Sequence, residues 1–172
     1  MIQIKPHIQC YPKFEKFDET IPEAFQALKK FIESNTKNVK IEHFGSSSIG
    51  IGGKNVIDAL VICPNKDFKA TLIHLDKMGL QEPEDYTPPQ ERPMRVAEFD
   101  YKNKTYHLHV HITYDGSKVH TGAIKFRDYL KAHPDDAKKY EMLKKKELET
   151  GTSKRDKYNL PKKEFISQIL SK

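Results

Sequence analysis

The chain has little of what marks an exported or membrane protein. It carries two cysteines, Cys10 and Cys63, in 172 residues. A pair this sparse outlines no disulfide framework, and both read as free thiols of a reducing compartment. No apolar run approaches the roughly 18 residues of a membrane span. The opening MIQIKPHIQC lacks the long apolar core of a secretory signal. A cytoplasmic protein with no membrane partner is therefore expected. Repeats and low-complexity linkers are also missing, so the chain reads as a single domain over residues 1–172.

Three familiar site signatures are absent as well. There is no GxxxxGK[ST] phosphate loop, no GxGxxG leading straight into a helix, and no G-x-S-x-G nucleophile elbow.

What is present is basic. Lysine and arginine number 30 against 24 acidic residues, for a net charge of +6. That balance suits an anionic ligand such as a nucleotide, a phosphate or a nucleic acid. The surplus sits largely in Lys138, Lys139, Lys144, Lys145 and Lys146, without interleaved aromatics. Such a run equally describes a solvated helix surface, and an RNA-binding reading rests on it alone.

Apolar spacing predicts a helix over Ile21–Ser34, with Pro22 in its first turn and Ile21, Phe25, Leu28 and Ile32 on one face. Val39–Phe44 reads as a short strand. NVIDALVIC, up to Cys63, is almost continuously apolar and β-branched, as in a central strand covered on both faces. A helix follows to Gly79, with Asn65 as its expected N-cap. Pro83–Pro93 is a proline-rich loop. Met94–Tyr101 and Lys104–Thr113 read as a hairpin around KNK, and about three helices follow from Lys118, the last written PKKEFISQILSK. The class is α+β: a sheet core with two helices over about 12–115 and a helical part over about 118–172.

Four features carry chemistry. The loop GSSSIGIGG offers the hydroxyls of Ser46, Ser47 and Ser48 and accessible backbone N–H groups, which suit an anion as well as an ordinary turn. Asp58 lies inside the apolar strand, where an unpartnered carboxylate is costly to bury. It calls for a metal, a basic partner, or a place at the edge of a cleft. In YHLHVHI, His107, His109 and His111 fall on one strand face. Neighbours on that face stand about 7 Å apart, so a single ion cannot collect all three. The last feature is a scatter of basic residues able to meet phosphates: Lys54, Arg92, Arg95, Arg127 and Lys162. Arg95 and Arg127 stand out because their neighbours are apolar or aromatic.

Together these segments resemble the GrpB family. IEHFGSSSIGIGGKNVIDALV is similar to its signature loop and apolar stretch, YHLHV to its HLHV strand, and FRDYLKAHPDDAKKYEMLKKK to its FRDYLRAHP…YxxLK segment. YNLPKKEFI fits the terminal motif, so the likeness runs from about residue 12 to the end. The resemblance implies a nucleotidyltransferase-like mixed sheet with packed helices and a helical C-terminal part. It puts Gly45 and Ser46 at the G-S pair that holds a triphosphate. It makes Asp58 the first carboxylate of a D-x-D pair that binds Mg²⁺ or Mn²⁺ for in-line attack on the α-phosphate.

The departure is Leu60, which occupies the second carboxylate position. Glu98, Asp100 or a histidine of HLHVH is expected near the third. In some bacteria a similar domain is fused to dephospho-CoA kinase, which hints at coenzyme A metabolism. Two readings stand open. One is a metal-dependent nucleotidyltransferase, with Asp58 as metal ligand, His43 or His109 as proton shuttle, and Gly45, Ser46, Ser47, Ser48, Lys54, Arg95, Arg127 and Lys162 around the nucleotide. The other is a module that binds a nucleotide or phosphorylated cofactor without turnover.

Overall fold

A computed structural model describes residues 2–7, 13–84, 87–90, 92–149 and 155–172, the stretch 155–160 by its backbone alone. Cys10 lies outside the described residues; Cys63 is a buried free thiol.

Five strands form one mixed sheet. They are β1 (Ile4–Lys5), β2 (Lys40–Phe44), β3 (Ile57–Cys63), β4 (Met94–Tyr101) and β5 (Lys104–Tyr114), in the order β1-β4-β5-β3-β2. β3 runs parallel to β5, and the other pairs are antiparallel. The helices are α1 (Ile21–Asn35), α2 (Phe68–Lys77), α3 (Lys118–Ala132), α4 (Pro134–Glu149) and α5 (Arg155–Leu170). No helix among the described residues is long and apolar enough to cross a membrane.

The alternation of strand side chains sorts the sheet into two faces. Ile57, Ala59 and Val61 of β3 pair with Leu108, Val110 and Ile112 of β5. Together with Ile21, Phe25, Leu28 and Ile32 of α1 and Leu75 of α2, they form the main core. Each Val, Leu, Ile or Phe among them contributes about 1.5–3 kcal/mol when fully buried. The opposite face carries Asp58 and Leu60 beside His109 and His111, with Val96 and Glu98 of β4 next to them.

A second, smaller cluster joins α3, α4 and α5 through Leu130, Ala137, Tyr140 and Ile169. Ile49 and Ile51 of the serine-glycine loop pack against it. The loop is therefore gripped between the sheet and the C-terminal helices.

Three local expectations change. β1 was not expected; two residues are too few to show alternation. Asn65 caps no α-helix; it opens a 3₁₀ turn, Asn65–Asp67, and α2 begins at Phe68. The last helix begins at Arg155 rather than Pro161 and carries that proline inside it. Proline removes one helical hydrogen bond and crowds the carbonyl four residues earlier, which disfavours but does not forbid passage through a helix.

Candidate functional site

The site begins at Gly45. β2 ends at Phe44, and Gly45 adopts φ 71° and ψ −172°, followed by a 3₁₀ turn over Ser46–Ile49. That backbone region is essentially restricted to glycine. The reason for a glycine is also spatial. A Cβ built on Gly45 would stand 3.0 Å from Asp58 Cγ and 3.1 Å from Asp58 Cβ, and nearer still to Oδ2. The Asp58 side chain thus lies directly against the loop backbone.

Asp58 sits at the second residue of β3, and its side chain keeps 24% of its exposure. Its Oδ1 is 3.5 Å from Nδ1 of His109, the residue paired with it on β5. Burial by itself would raise the Asp58 pKa. The bond from His109 and the fields of His109, His111 and Lys162 outweigh burial and hold the carboxyl down at about 2. Leu60, the next residue on the same face, is fully buried and offers no ligand atom. His111, opposite Leu60, is driven down to about 3 mainly by burial, against the pull of Asp58. It is a neutral imidazole packed edge-on against Phe44 at 5.1 Å.

Of the three loop serines, two fasten the loop. Ser48 Oγ donates to the Gly45 carbonyl at 2.7 Å. Ser47 Oγ donates to the Val56 carbonyl at 2.9 Å. With that proton committed, His43 Nε2, 3.0 Å away, carries a hydrogen and donates to Ser47 Oγ. Ser46 has a different environment. A Cβ on Gly53 would stand 3.0 Å from Ser46 Oγ and 3.2 Å from Lys144 Nζ. The bare glycine therefore leaves a small notch between a hydroxyl and an ammonium.

α4 closes this notch with a cation. Lys144 is 4% exposed and donates to the Gly52 carbonyl at 2.6 Å. Its ammonium lies 4.9 Å from the Tyr140 ring centre, one turn earlier on the same helix face. Burial first, and then the neighbouring charge of Lys162, lowers its pKa to about 7, while Glu141 and Asp58 pull the other way. Glu141 Oε1 accepts from the Gly52 N–H at 2.6 Å, so α4 holds both sides of that residue's backbone. Lys162 hydrogen-bonds Tyr140, and its charge acts on Asp58, Tyr140 and Lys144 alike.

Asp58, His109, Gly45, Ser46 and Lys162 are therefore brought together. Sequence reading missed Lys144 and Tyr140. Their i, i+4 spacing, with Ala137 on the same face, was the available signal.

Two expected residues stand elsewhere. Arg95 points to the opposite face, because it alternates with Met94, Val96 and Glu98. It is 4% exposed, is held by Asp76, and lies 3.2 Å from Glu82. Its apolar setting belongs to a buried guanidinium that pairs with two exposed carboxylates. His43 also occupies the core face, stacked on Phe25 at 4.3 Å. Burial, opposed by Asp58, lowers its pKa to about 4, so it braces Ser47 as a neutral ring.

Arg127 reaches the right face but ties α3 to β2 through Glu42 at 2.8 Å and the His43 carbonyl at 3.0 Å. Lys54 lies half-buried in the connection from the loop to β3. Glu98 shares the face but pairs across the strands with His107, one step beyond His109. Asp100 is ion-paired to Lys5 at the far edge of the sheet.

Comparison with known proteins follows the same segments. Residues 12–172 match the family model described as GrpB protein. The glutamate-rich protein GrpB of Alkalihalophilus pseudofirmus is 32% identical over 142 residues, covering 76% of this chain and 76% of that protein. The crystal structure of the conserved protein GrpB from Enterococcus faecalis superposes with a TM-score of 0.66 at 28% identity, over 91% of this chain and 93% of that one. A cytoplasmic RNA terminal U-transferase aligns far more loosely, at a TM-score of 0.45 and 14% identity over 74% of this chain and 38% of its own.

Proposed function

This chain belongs to the GrpB family, and we propose that its Asp58 face binds a nucleotide or another phosphorylated small molecule. The observation that carries the reading is the meeting of Lys144 and Ser46 at one notch, with the charge of Lys162 acting on both Lys144 and an ionised Asp58. Phosphate oxygens would replace the Gly52 carbonyl as the acceptor for Lys144. Ser46 Oγ and the loop N–H groups would supply further donors.

One divalent ion suits this donor set. Mg²⁺ is commonly held by one or two carboxylates plus ligand phosphates, and the His109 imidazole makes Mn²⁺ equally acceptable. When bound, the ion would neutralise phosphate charge beside Asp58. The pair of ions used for in-line nucleotidyl transfer fits less well, because Leu60 and His111 stand where further carboxylates would be needed. Binding without turnover is thus the first reading. Nucleotidyl transfer is the second, favoured by the fully ionised Asp58 next to an imidazole.

A thermal-shift screen tests this. Nucleoside triphosphates, coenzyme A precursors and inorganic phosphate are offered with and without Mg²⁺ or Mn²⁺ to wild type, Asp58→Ala and Lys144→Met. A ligand at a hundred times its Kd stabilises by about 2.7 kcal/mol. The expected shift disappears in Lys144→Met and loses its metal dependence in Asp58→Ala. No shift with any phosphorylated ligand refutes the reading. Pyrophosphate release that requires Asp58 would replace it with transfer.

A further inference from the structure

A second group of ligating side chains lies on the same sheet face, nearer the β1 edge. His107 of β5 is two residues from His109, a step of about 7 Å along the strand. Glu98 is its cross-strand partner on β4, and Glu98 Oε1 is 3.1 Å from His107 Nδ1. His7, two residues beyond β1, brings its ring edge-on to His107, with centroids 5.8 Å apart. One ligand atom from each of His7, Glu98 and His107 lies within 4.8 Å of the other two. Among the described residues this is the one set of three such side chains so placed.

We propose that His7, Glu98 and His107 form a binding site for a divalent transition metal of the zinc class. The composition is two imidazoles and one carboxylate, the set found in zinc sites that keep a coordination position open for water or substrate. In a tetrahedral zinc site, ligand atoms stand about 3.3 Å apart, given metal–ligand lengths near 2.0–2.1 Å. The Glu98–His107 separation of 3.1 Å is close to that edge, and the His7 ligand atom lies within 4.8 Å of both. Glu98 is 5% exposed, so its carboxylate is held on a rigid, inward-facing strand position. Lys5, opposite Glu98 in register, sends its ammonium to Asp100 instead. Two nitrogen donors favour zinc, cobalt or nickel over Mg²⁺, which takes oxygen ligands. This site is chemically distinct from Asp58, and it stands or falls independently of the phosphate-binding reading.

The test uses the untagged full chain, stripped with chelator and dialysed. Zn²⁺ is titrated calorimetrically, and Co²⁺ is added as a spectroscopic substitute. The expected result is one equivalent of bound Zn²⁺, unaffected by millimolar Mg²⁺, and a visible Co²⁺ ligand-field band. His107→Ala and Glu98→Gln weaken Zn²⁺ binding at least tenfold, whereas Asp58→Asn keeps it. Glu98→Gln alters a buried position, so His7→Ala, in the outer segment, provides the same reading in a chain whose sheet is undisturbed. The proposal is overturned by no Zn²⁺ binding to folded wild type. It is equally overturned by unchanged affinity in His7→Ala and His107→Ala, or by a loss that follows Asp58→Asn.

Discussion

Replacing Gly45 by alanine is the sharpest test of how the loop and the buried carboxylate are joined. The substitution adds one methyl group to a residue at φ 71° and ψ −172°. Non-glycine residues in that region are strained by about 1–3 kcal/mol. The new carbon would also stand 3.0 Å from Asp58 Cγ, where carbon pairs prefer about 3.5–4.0 Å. Asp58 must move away, which breaks its pairing with His109, a charge-assisted contact of about 1.5–3 kcal/mol. The sum is about 4 kcal/mol, or a fall in Tm of about 8–16 °C for a chain of this size.

Three further proteins, Gly50→Ala, Asp58→Ala and the Gly45→Ala/Asp58→Ala double mutant, separate the components. Gly50→Ala places a methyl group at φ 74° and ψ 27°, where it meets only Phe17 Cε1 at 3.9 Å. It therefore carries backbone strain alone, about 1–2 kcal/mol. Gly45→Ala in an Asp58→Ala background keeps the strain and the 3.1 Å approach to the Cβ of residue 58 but removes the closer collisions with the carboxylate, so the double mutant is less destabilised than the single effects add up to. Urea melts of the four proteins and wild type measure this. A Gly45→Ala penalty no larger than that of Gly50→Ala, or strict additivity with Asp58→Ala, would refute the placement of Asp58 against the loop.

Lys144, with a pKa near 7 in the free protein, should regain its proton if the proposed anion binds beside it. Ligand binding at pH 8 should therefore take up close to one proton, seen as a dependence of calorimetric enthalpy on buffer ionisation, and Lys144→Met should abolish the uptake. The same depressed pKa means the folded state binds fewer protons than the unfolded chain between about pH 7 and 10.4, so this group's contribution to stability rises with pH across that window. Arg95→Met should destabilise the fold by about 1–3 kcal/mol through loss of the Asp76 and Glu82 contacts, yet leave any phosphate-ligand thermal shift unchanged; loss of that shift would return Arg95 to the site.

The strong periodicities were legible in the sequence. α1 shows a 3.6-residue apolar stripe, β3 an apolar run broken at one position, and β5 a strict alternation of histidine with aliphatic residues. Asp58 stood out because it interrupts that run. Other positions were ambiguous for physical reasons. β4 reads MRVAEFDY, with small or apolar residues on both sides of Arg95, so alternation alone did not say which face the guanidinium takes. Pairing register decides that, and register is a long-range property. Lys144 sits in the run LKKKELE, where three successive lysines look alike. Only its phase relative to Tyr140 and Ala137 separates it from its exposed neighbours. The His7–Glu98–His107 group escaped notice because it draws on three separate strands or their extensions.

The grip of α4 on the backbone of Gly52 has a consequence for folding order. Glu141 and Lys144 reach that residue across 89 and 92 positions of chain. Closing loops of that length is entropically slow relative to forming a helix or the β4–β5 hairpin. The sheet can assemble while the serine-glycine loop still lacks its cations, and the loop acquires them only when the last third of the chain docks. The proposed anion recognition would thus be a property of the finished molecule. In a refolding experiment it should emerge in the slowest phase, after the strands are already paired.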